Sequence, residues 1–235
     1  MELRERLVTV NARIKAAARL AGRAPEEISL IAVSKTHPPE VIRPAIEAGI
    51  LDLGENRVQE AESKIELIGR ERVTWHLIGH LQANKARRAV QLFDIIHSLD
   101  SLSLAQRLDR LCHEESREEL PLLIQVDLAD EATKSGVSEA ELSSLVAAVK
   151  HCERLRLIGL MSVPPFFEGT ELVRPYFSRL RKIRDDLQSI GAFGTGSGAL
   201  SMGMSHDFEV AIQEGATMIR VGTAIFGERG RPADE

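Results

Sequence analysis

Apolar positions fall along this chain in two alternating rhythms. Leu3, Leu7, Val10, Ile14, Ala17 and Ala21 recur at steps of three and four, the stripe of one amphipathic helix over about residues 2–21. Gly22 stops it, and Ala24-Pro25 opens a turn. Leu30-Ile31-Ala32-Val33 then runs without a polar break into Ser34-Lys35-Thr36-His37, where Pro38-Pro39 ends the run. An unbroken apolar run of this length reads as a strand buried on both faces. Helical spacing returns at Val41, Ile42, Ala45 and Ile46, up to Gly49.

The same unit repeats to the end of the chain. Further strands are predicted at 50–54, 73–79, 93–98, 122–127, 155–161, 199–202 and 217–221. Between them, helices are predicted at 57–68 and about 82–92, then on Leu102, Ala105, Leu108 and Leu111. Ser138 and Glu141 form a capping box ahead of Leu142, Leu145, Val146 and Val149. A long helix over 171–187 carries Leu172, Tyr176, Leu180, Ile183 and Leu187 on one side, and shorter ones follow at 207–214 and 224–227.

Strand following helix implies right-handed crossovers and a parallel sheet. Eight such units favour closure. The expected fold is therefore α/β, a single (β/α)8 TIM barrel with an additional N-terminal helix. One domain is expected over residues 1–235, its barrel at about 28–228. An open doubly wound sheet is the competing fold, but no G-x-G-x-x-G follows the first strand. Gly194-Thr195-Gly196-Ser197-Gly198 precedes a strand instead of joining strand to helix, and reads as a flexible connection.

Composition narrows the function classes. Aromatics are 4% of the chain, so a core must come from Leu, Ile, Val and Ala. A net charge of -5 with both signs mixed does not favour nucleic acid, and Lys85-Ala86-Arg87-Arg88 reads as a solvated helix face. No apolar window approaches a membrane span. Cys112 and Cys152 are too few for a disulfide framework, and the first residues begin a charged helix rather than a signal peptide. A cytoplasmic protein without nucleic-acid or membrane partners is expected.

Closure would set the first strand beside the eighth, bringing Lys35 to Arg220-Val221-Gly222-Thr223. Alone, Lys35 reads either as the end of a strand or as a Schiff-base nucleophile with its amine in a cleft. Gly222 can expose backbone N–H groups, and Thr223 can add a hydroxyl and cap a short helix. Barrel sites favour this rim, where phosphates often meet the last loops. Ser205, after Ser201-Met202-Gly203-Met204, reads either as an N-cap for the helix at Asp207 or as a phosphate ligand. A lysine beside a phosphate pocket suggests pyridoxal 5'-phosphate, its aldehyde on Lys35 and its phosphate at Ser205 and Gly222-Thr223.

Six stretches then resemble one family. They are Ala32-Val33-Ser34-Lys35-Thr36; Gly54-Glu55-Asn56 with Val58-Gln59-Glu60; and Trp75-His76-Leu77-Ile78-Gly79 with Leu81-Gln82 and Asn84-Lys85. Gly159-Leu160-Met161, Ser201-Met202-Gly203-Met204-Ser205 with Asp207, and Arg220-Val221-Gly222-Thr223-Ala224-Ile225-Phe226-Gly227 complete them. In this order the chain resembles the pyridoxal phosphate homeostasis protein family, whose barrel is similar to the N-terminal domain of alanine racemases.

The resemblance implies that Lys35 forms the internal aldimine. Ser205, Gly222 and Thr223 match phosphate-binding positions, Arg220 faces the pyridine nitrogen, and Asn56 lies near the cofactor. It also implies vitamin B6 homeostasis, with the cofactor buffered or delivered to apoenzymes and amino-acid and keto-acid balance affected, without established turnover. A permanent guanidinium beside the pyridine nitrogen disfavours protonating it, which weakens the ring as an electron sink. An amino-acid racemase or related small enzyme is the alternative. The few residues after Thr223 leave no room for the racemases' second, mainly β domain or its tyrosine, and Tyr176 falls within a helix. Losing that domain favours a monomer.

No metal site is expected, because His76 and His80 straddle a strand end without H-E-x-x-H or a nearby cysteine pair. Secondary candidates on the rim are His37, Asn84-Lys85, Ser98, Met161 as pocket packing, Pro164-Pro165-Phe166-Phe167 as a cover, and Lys134.

Overall fold

The N-terminal stripe folds as α1 (Leu3–Leu20), burying Leu7, Val10, Ile14, Ala17 and Ala18. Gly22 stops it by taking φ +66°. The Arg23 N–H then reaches Ala18 O at 2.9 Å and the Gly22 N–H reaches Arg19 O at 3.1 Å, which satisfies carbonyls the helix end would leave open.

The computed structural model describes residues 2–129 and 135–227, so the candidate Lys134 and the end of the barrel expected near 228 lie outside the described residues. The repeating unit runs as β1 (Ser29–Val33), α2 (Pro39–Glu47), β2 (Asp52–Glu55), α3 (Val58–Ile68), β3 (Thr74–Leu77), α4 (Ala86–Leu92), β4 (Ile95–Leu99) and α5 (Leu102–Glu114). It continues as β5 (Leu120–Gln125), α6 (Glu139–Lys150), β6 (Leu155–Met161), α7 (Arg174–Ser189), β7 (Ala199–Met204), α8 (Phe208–Gln213), β8 (Met218–Val221) and α9 (Thr223–Phe226).

Every strand pairs in parallel with its sequence neighbours, and β1 pairs with β8 to close the barrel. The closed eight-stranded sheet excludes the open doubly wound alternative. α1 lies outside it against α8, where Arg13 pairs with Glu209 at 2.6 Å and stacks on the Phe208 ring at 4.5 Å. Leu53, Trp75, Leu77, Phe93, Ile96 and Leu108 are fully buried between strands and helices.

Two local expectations shift. β7 extends to Met204, because its pairing with β8 continues past a register shift to Met204 and Arg220. On α7 the buried positions are Phe177, Leu180, Ile183 and Leu187, continuing Val173 in the preceding turn, while Leu172 is exposed and Tyr176 half-buried. Both offsets have helical spacing. Packing chooses Phe177, since burying Tyr176 would also have to satisfy a hydroxyl.

Among the described residues, no helix is long and apolar enough to cross a membrane. Nor does any group of three or more His, Cys, Asp or Glu stand where it could hold a metal ion.

Candidate functional site

Closure places the last residues of β1 and β8 side by side, with Ile31 opposite Arg220 and Ala32 opposite Val221. Lys35, two residues past β1, and Gly222, one past β8, therefore share the rim at the C-terminal ends of the strands. A Cβ built on Gly222 would stand 3.3 Å from Val33 O, so the glycine permits this close approach. Lys35 is half-buried in a turn closed by the His37 N–H on Ser34 O at 3.0 Å.

Ser205 is not the cap of the next helix. Asp207 holds that position, turning its own Oδ1 back onto the Met204 N–H at 2.6 Å. Ser205 Oγ instead accepts the N–H groups of Gly222 at 3.1 Å and Ala224 at 3.4 Å, tying the loop after β7 to the start of α9. With both N–H groups on its oxygen, the Ser205 hydroxyl keeps its own hydrogen to donate, beside a backbone turn of the kind that receives anions. Thr223 is exposed as the first residue of α9, with Gly222 rather than Thr223 in the cap position.

Arg220 is 4% exposed. Its guanidinium donates to Ser201 Oγ at 2.6 Å and to Ser162 O at 2.8 Å. Burial pushes its pKa down to about 10, which leaves it cationic at neutral pH, and the Asp207 carboxylate opposes that fall. Burial likewise pushes the Asp207 carboxyl up.

Beyond Ser201 the polar contacts continue through the barrel interior. His97 Nδ1 lies 2.9 Å from Ser201 Oγ, His97 Nε2 lies 2.9 Å from His76 Nδ1, and His76 Nε2 lies 2.9 Å from Asp52 Oδ1. Burial drives the His97 pKa well below the usual imidazole value, with His76 and Arg220 adding to the effect, so this ring is neutral. Arginine can only donate, and a carboxylate can only accept. Along this line one assignment then gives every polar hydrogen an acceptor. Arg220 donates to Ser201, Ser201 to His97, His97 to His76, and His76 to Asp52.

This line was not legible in the sequence, where His76 and His80 are weighed only as a metal pair and set aside. Its only signal there is a polar residue inside each otherwise apolar run. His80 instead meets Asp100 at 3.0 Å, and the His37 ring lies 5.0 Å from that of Phe226. Met161 is fully buried at the end of β6, while Phe166 is exposed with its ring 5.2 Å from His206.

Asn56 follows β2 on the same rim. Its backbone lies so close to Gly79 that a Cβ there would stand 2.3 Å from Asn56 O. Asn56 opens onto a groove of about 760 Å³ shared with Arg57, Gln59, Glu60, His80 and Lys85. A cavity of about 640 Å³ between Glu27, Lys150, Arg156 and the Gly194–Gly198 loop contains none of the candidate residues.

Ser98 and Ser162, just at or beyond the ends of β4 and β6, are buried with hydroxyls that meet no partner. Unpartnered buried hydroxyls are costly, so a polar ligand in the barrel mouth fits them. The lysine, the Ser205 hydroxyl and the buried arginine fit a ligand bearing a carbonyl and a phosphate.

Fold and rim together define a (β/α)8 barrel with a lysine past its first strand and a Ser205–Gly222–Ala224 hydrogen-bonded seam past its last two. A family model described as alanine racemase, N-terminal domain, matches residues 8–230. A protein of Aquifex aeolicus (strain VF5) named pyridoxal phosphate homeostasis protein is 43% identical over 225 residues, covering 96% of this chain and 97% of that protein. The chain belongs to the pyridoxal phosphate homeostasis protein family, within the wider alanine racemase N-terminal domain family. The solved structure of PipY from Synechococcus elongatus PCC7942 with PLP bound is 40% identical with a TM-score of 0.83, covering 96% of this chain and 100% of that one. Alanine racemase of Corynebacterium glutamicum, 18% identical, shares the fold at a TM-score of 0.66 over 96% of this chain and 62% of its own.

Proposed function

We propose that this protein binds pyridoxal 5'-phosphate at the barrel rim and holds it reversibly through Lys35, buffering or delivering it in the cytoplasm. The carrying observation is the convergence of Lys35, the Ser205–Gly222–Ala224 cradle and buried Arg220 on one closing seam. Family relatives carrying the homeostasis name support the reading, as does the PLP-bound PipY structure.

The cofactor supplies an electrophilic carbonyl and an anionic phosphate. Lys35 provides the amine that adds to the carbonyl with loss of water, a step water reverses. Ser205, Gly222 and Thr223 receive the phosphate, and Asn56 borders the site. Arg220, held from behind by Ser201 and Ser162 O, keeps a positive charge where the ring nitrogen would otherwise take a proton. Weak electron withdrawal suits storage better than turnover and supports a non-enzymatic role affecting amino-acid and keto-acid balance. The protein acts in this reading as a one-domain monomer, with apoenzymes as recipients.

The test is the absorbance spectrum with added cofactor, then borohydride trapping and peptide mass mapping, in wild type and Lys35→Ala. A reducible visible band and a label on Lys35, both lost in the variant, are expected. A colourless, unlabelled wild type would overturn the reading. Delivery predicts that the loaded protein changes the rate of apoenzyme reconstitution at fixed total cofactor.

The shared fold with alanine racemase favours one second reading, a small racemase-like enzyme. Solvent deuterium entering amino-acid Cα faster than with free cofactor would support it.

A further inference from the structure

We infer that Lys64, with Glu55 and Glu60, is a positioning clamp that holds the turn presenting Lys35, while its own ammonium stays out of reach of carbonyl ligands. The inference rests on the proposed role of Lys35 but concerns residues outside that site.

Lys64 lies on α3 and is 4% exposed. Its Nζ lies 2.8 Å from Ser34 O, 2.7 Å from Glu55 Oε1 and 2.7 Å from Glu60 Oε1. A lysine ammonium has three N–H donors, and here all three are engaged. With its three N–H bonds spent on these acceptors and its side chain buried, the Lys64 nitrogen is turned away from any carbonyl ligand.

The same cluster grips the chain on both sides of Lys35. Ser34, fully buried, donates its hydroxyl to Glu55 Oε1 at 2.7 Å, and its carbonyl is the Lys64 acceptor. On the other side, the Thr36 N–H donates to the Glu60 Oε1 that Lys64 also holds. The residue between these anchors is Lys35.

Thr36 shows why a grip is needed. It takes φ +67°, the left-handed region that a β-branched side chain disfavours. Such a conformation persists only where surroundings impose it, and the Glu60 contact to its N–H is one such constraint. Glu55 is buried, and burial pushes its carboxyl pKa up while Lys64 opposes the shift. A buried ion pair contributes little net stability but specifies one arrangement, here the rotation of the Lys35 turn.

The test uses the full ligand-free chain. Lysine acetylation by acetic anhydride is followed across pH by peptide mass mapping in wild type, Glu60→Ala, Glu60→Gln and Lys64→Met, alongside urea unfolding. Native wild type is expected to label at Lys35 and not at Lys64. Glu60→Ala should stay folded in the absence of urea with a lowered unfolding midpoint, and it should move the pH profile of Lys35 acetylation. It should also slow formation of the visible band with pyridoxal phosphate by about tenfold, the scale of a small misplacement. Glu60→Gln keeps an acceptor for the Thr36 N–H and should restore both.

Wild-type Lys35 profiles in folded Glu60→Ala, or acetylation of native Lys64 as fast as Lys35, would overturn the clamp. If Lys64→Met fails to fold, the Glu60 pair still decides. A wild type that forms no band but whose Lys35 profile responds to Glu60 would keep the clamp and sink the cofactor reading.

Discussion

His97 and Ser201 meet across the inside of the barrel, Nδ1 to Oγ at 2.9 Å, joining β4 to β7. Ser201 takes a hydrogen bond from Arg220 on one side and gives one to His97 on the other. The cation at the rim is thereby linked through His76 to Asp52, whose side chain is 26% exposed.

Ser201→Ala removes both links at once. It leaves His97 Nδ1 buried without a donor and takes one acceptor from Arg220. The expected loss is about 1–3 kcal/mol, the cost of stranding a buried polar group. Urea unfolding should show a lower midpoint with an unchanged slope.

The neutral His97 makes folding pH-dependent. Its folded pKa lies well below the usual imidazole value, so on acidification the unfolded chain gains a proton that the folded chain refuses. Its contribution is fully present above about pH 6.5 and falls by about 1.4 kcal/mol per pH unit below it, down to the folded pKa. Unfolding free energies from pH 7.5 to 5 should show this fall, and His97→Gln should flatten it.

Two rim glycines should behave differently. In Gly79→Ala the new Cβ would meet Asn56 O at 2.3 Å, and a backbone atom cannot swing aside. A loss of about 1–3 kcal/mol from overpacking is expected, with Asn56 displaced. Gly222→Ala meets Val33 O at 3.3 Å with φ at -113°, so the fold should survive while the cradle narrows. Thermal unfolding and cofactor titration of both variants separate the two outcomes.

Ser205→Ala tests the cradle by ligand chemistry. Binding of pyridoxal 5'-phosphate should weaken by about tenfold or more, the scale of a hydrogen bond to a charged group. Pyridoxal without its phosphate should bind as it does to wild type. Equal weakening of both ligands in absorbance titrations would count against a phosphate role for Ser205.

The sequence alone determined the alternation of strands and helices, because hydrophobic period is a local property read within each segment. Eight repeats with short connections then pointed to closure, and closure set the strand that ends before Lys35 beside the strand that carries Arg220. The motif residues around Lys35, Ser205 and Gly222 were legible for the same reason, each standing just past a strand. Local pattern says which positions are buried, but not which distant residue each meets. Only the tertiary structure decided that His76 pairs with His97, and that Ser205 bridges to α9 instead of capping α8. It alone placed Phe177 rather than Tyr176 in the core, and joined Lys64 to both flanks of Lys35. Those choices depend on strand register and on the geometry of a closed sheet, where hydrogen-bond satisfaction between far-apart residues outweighs anything periodicity records.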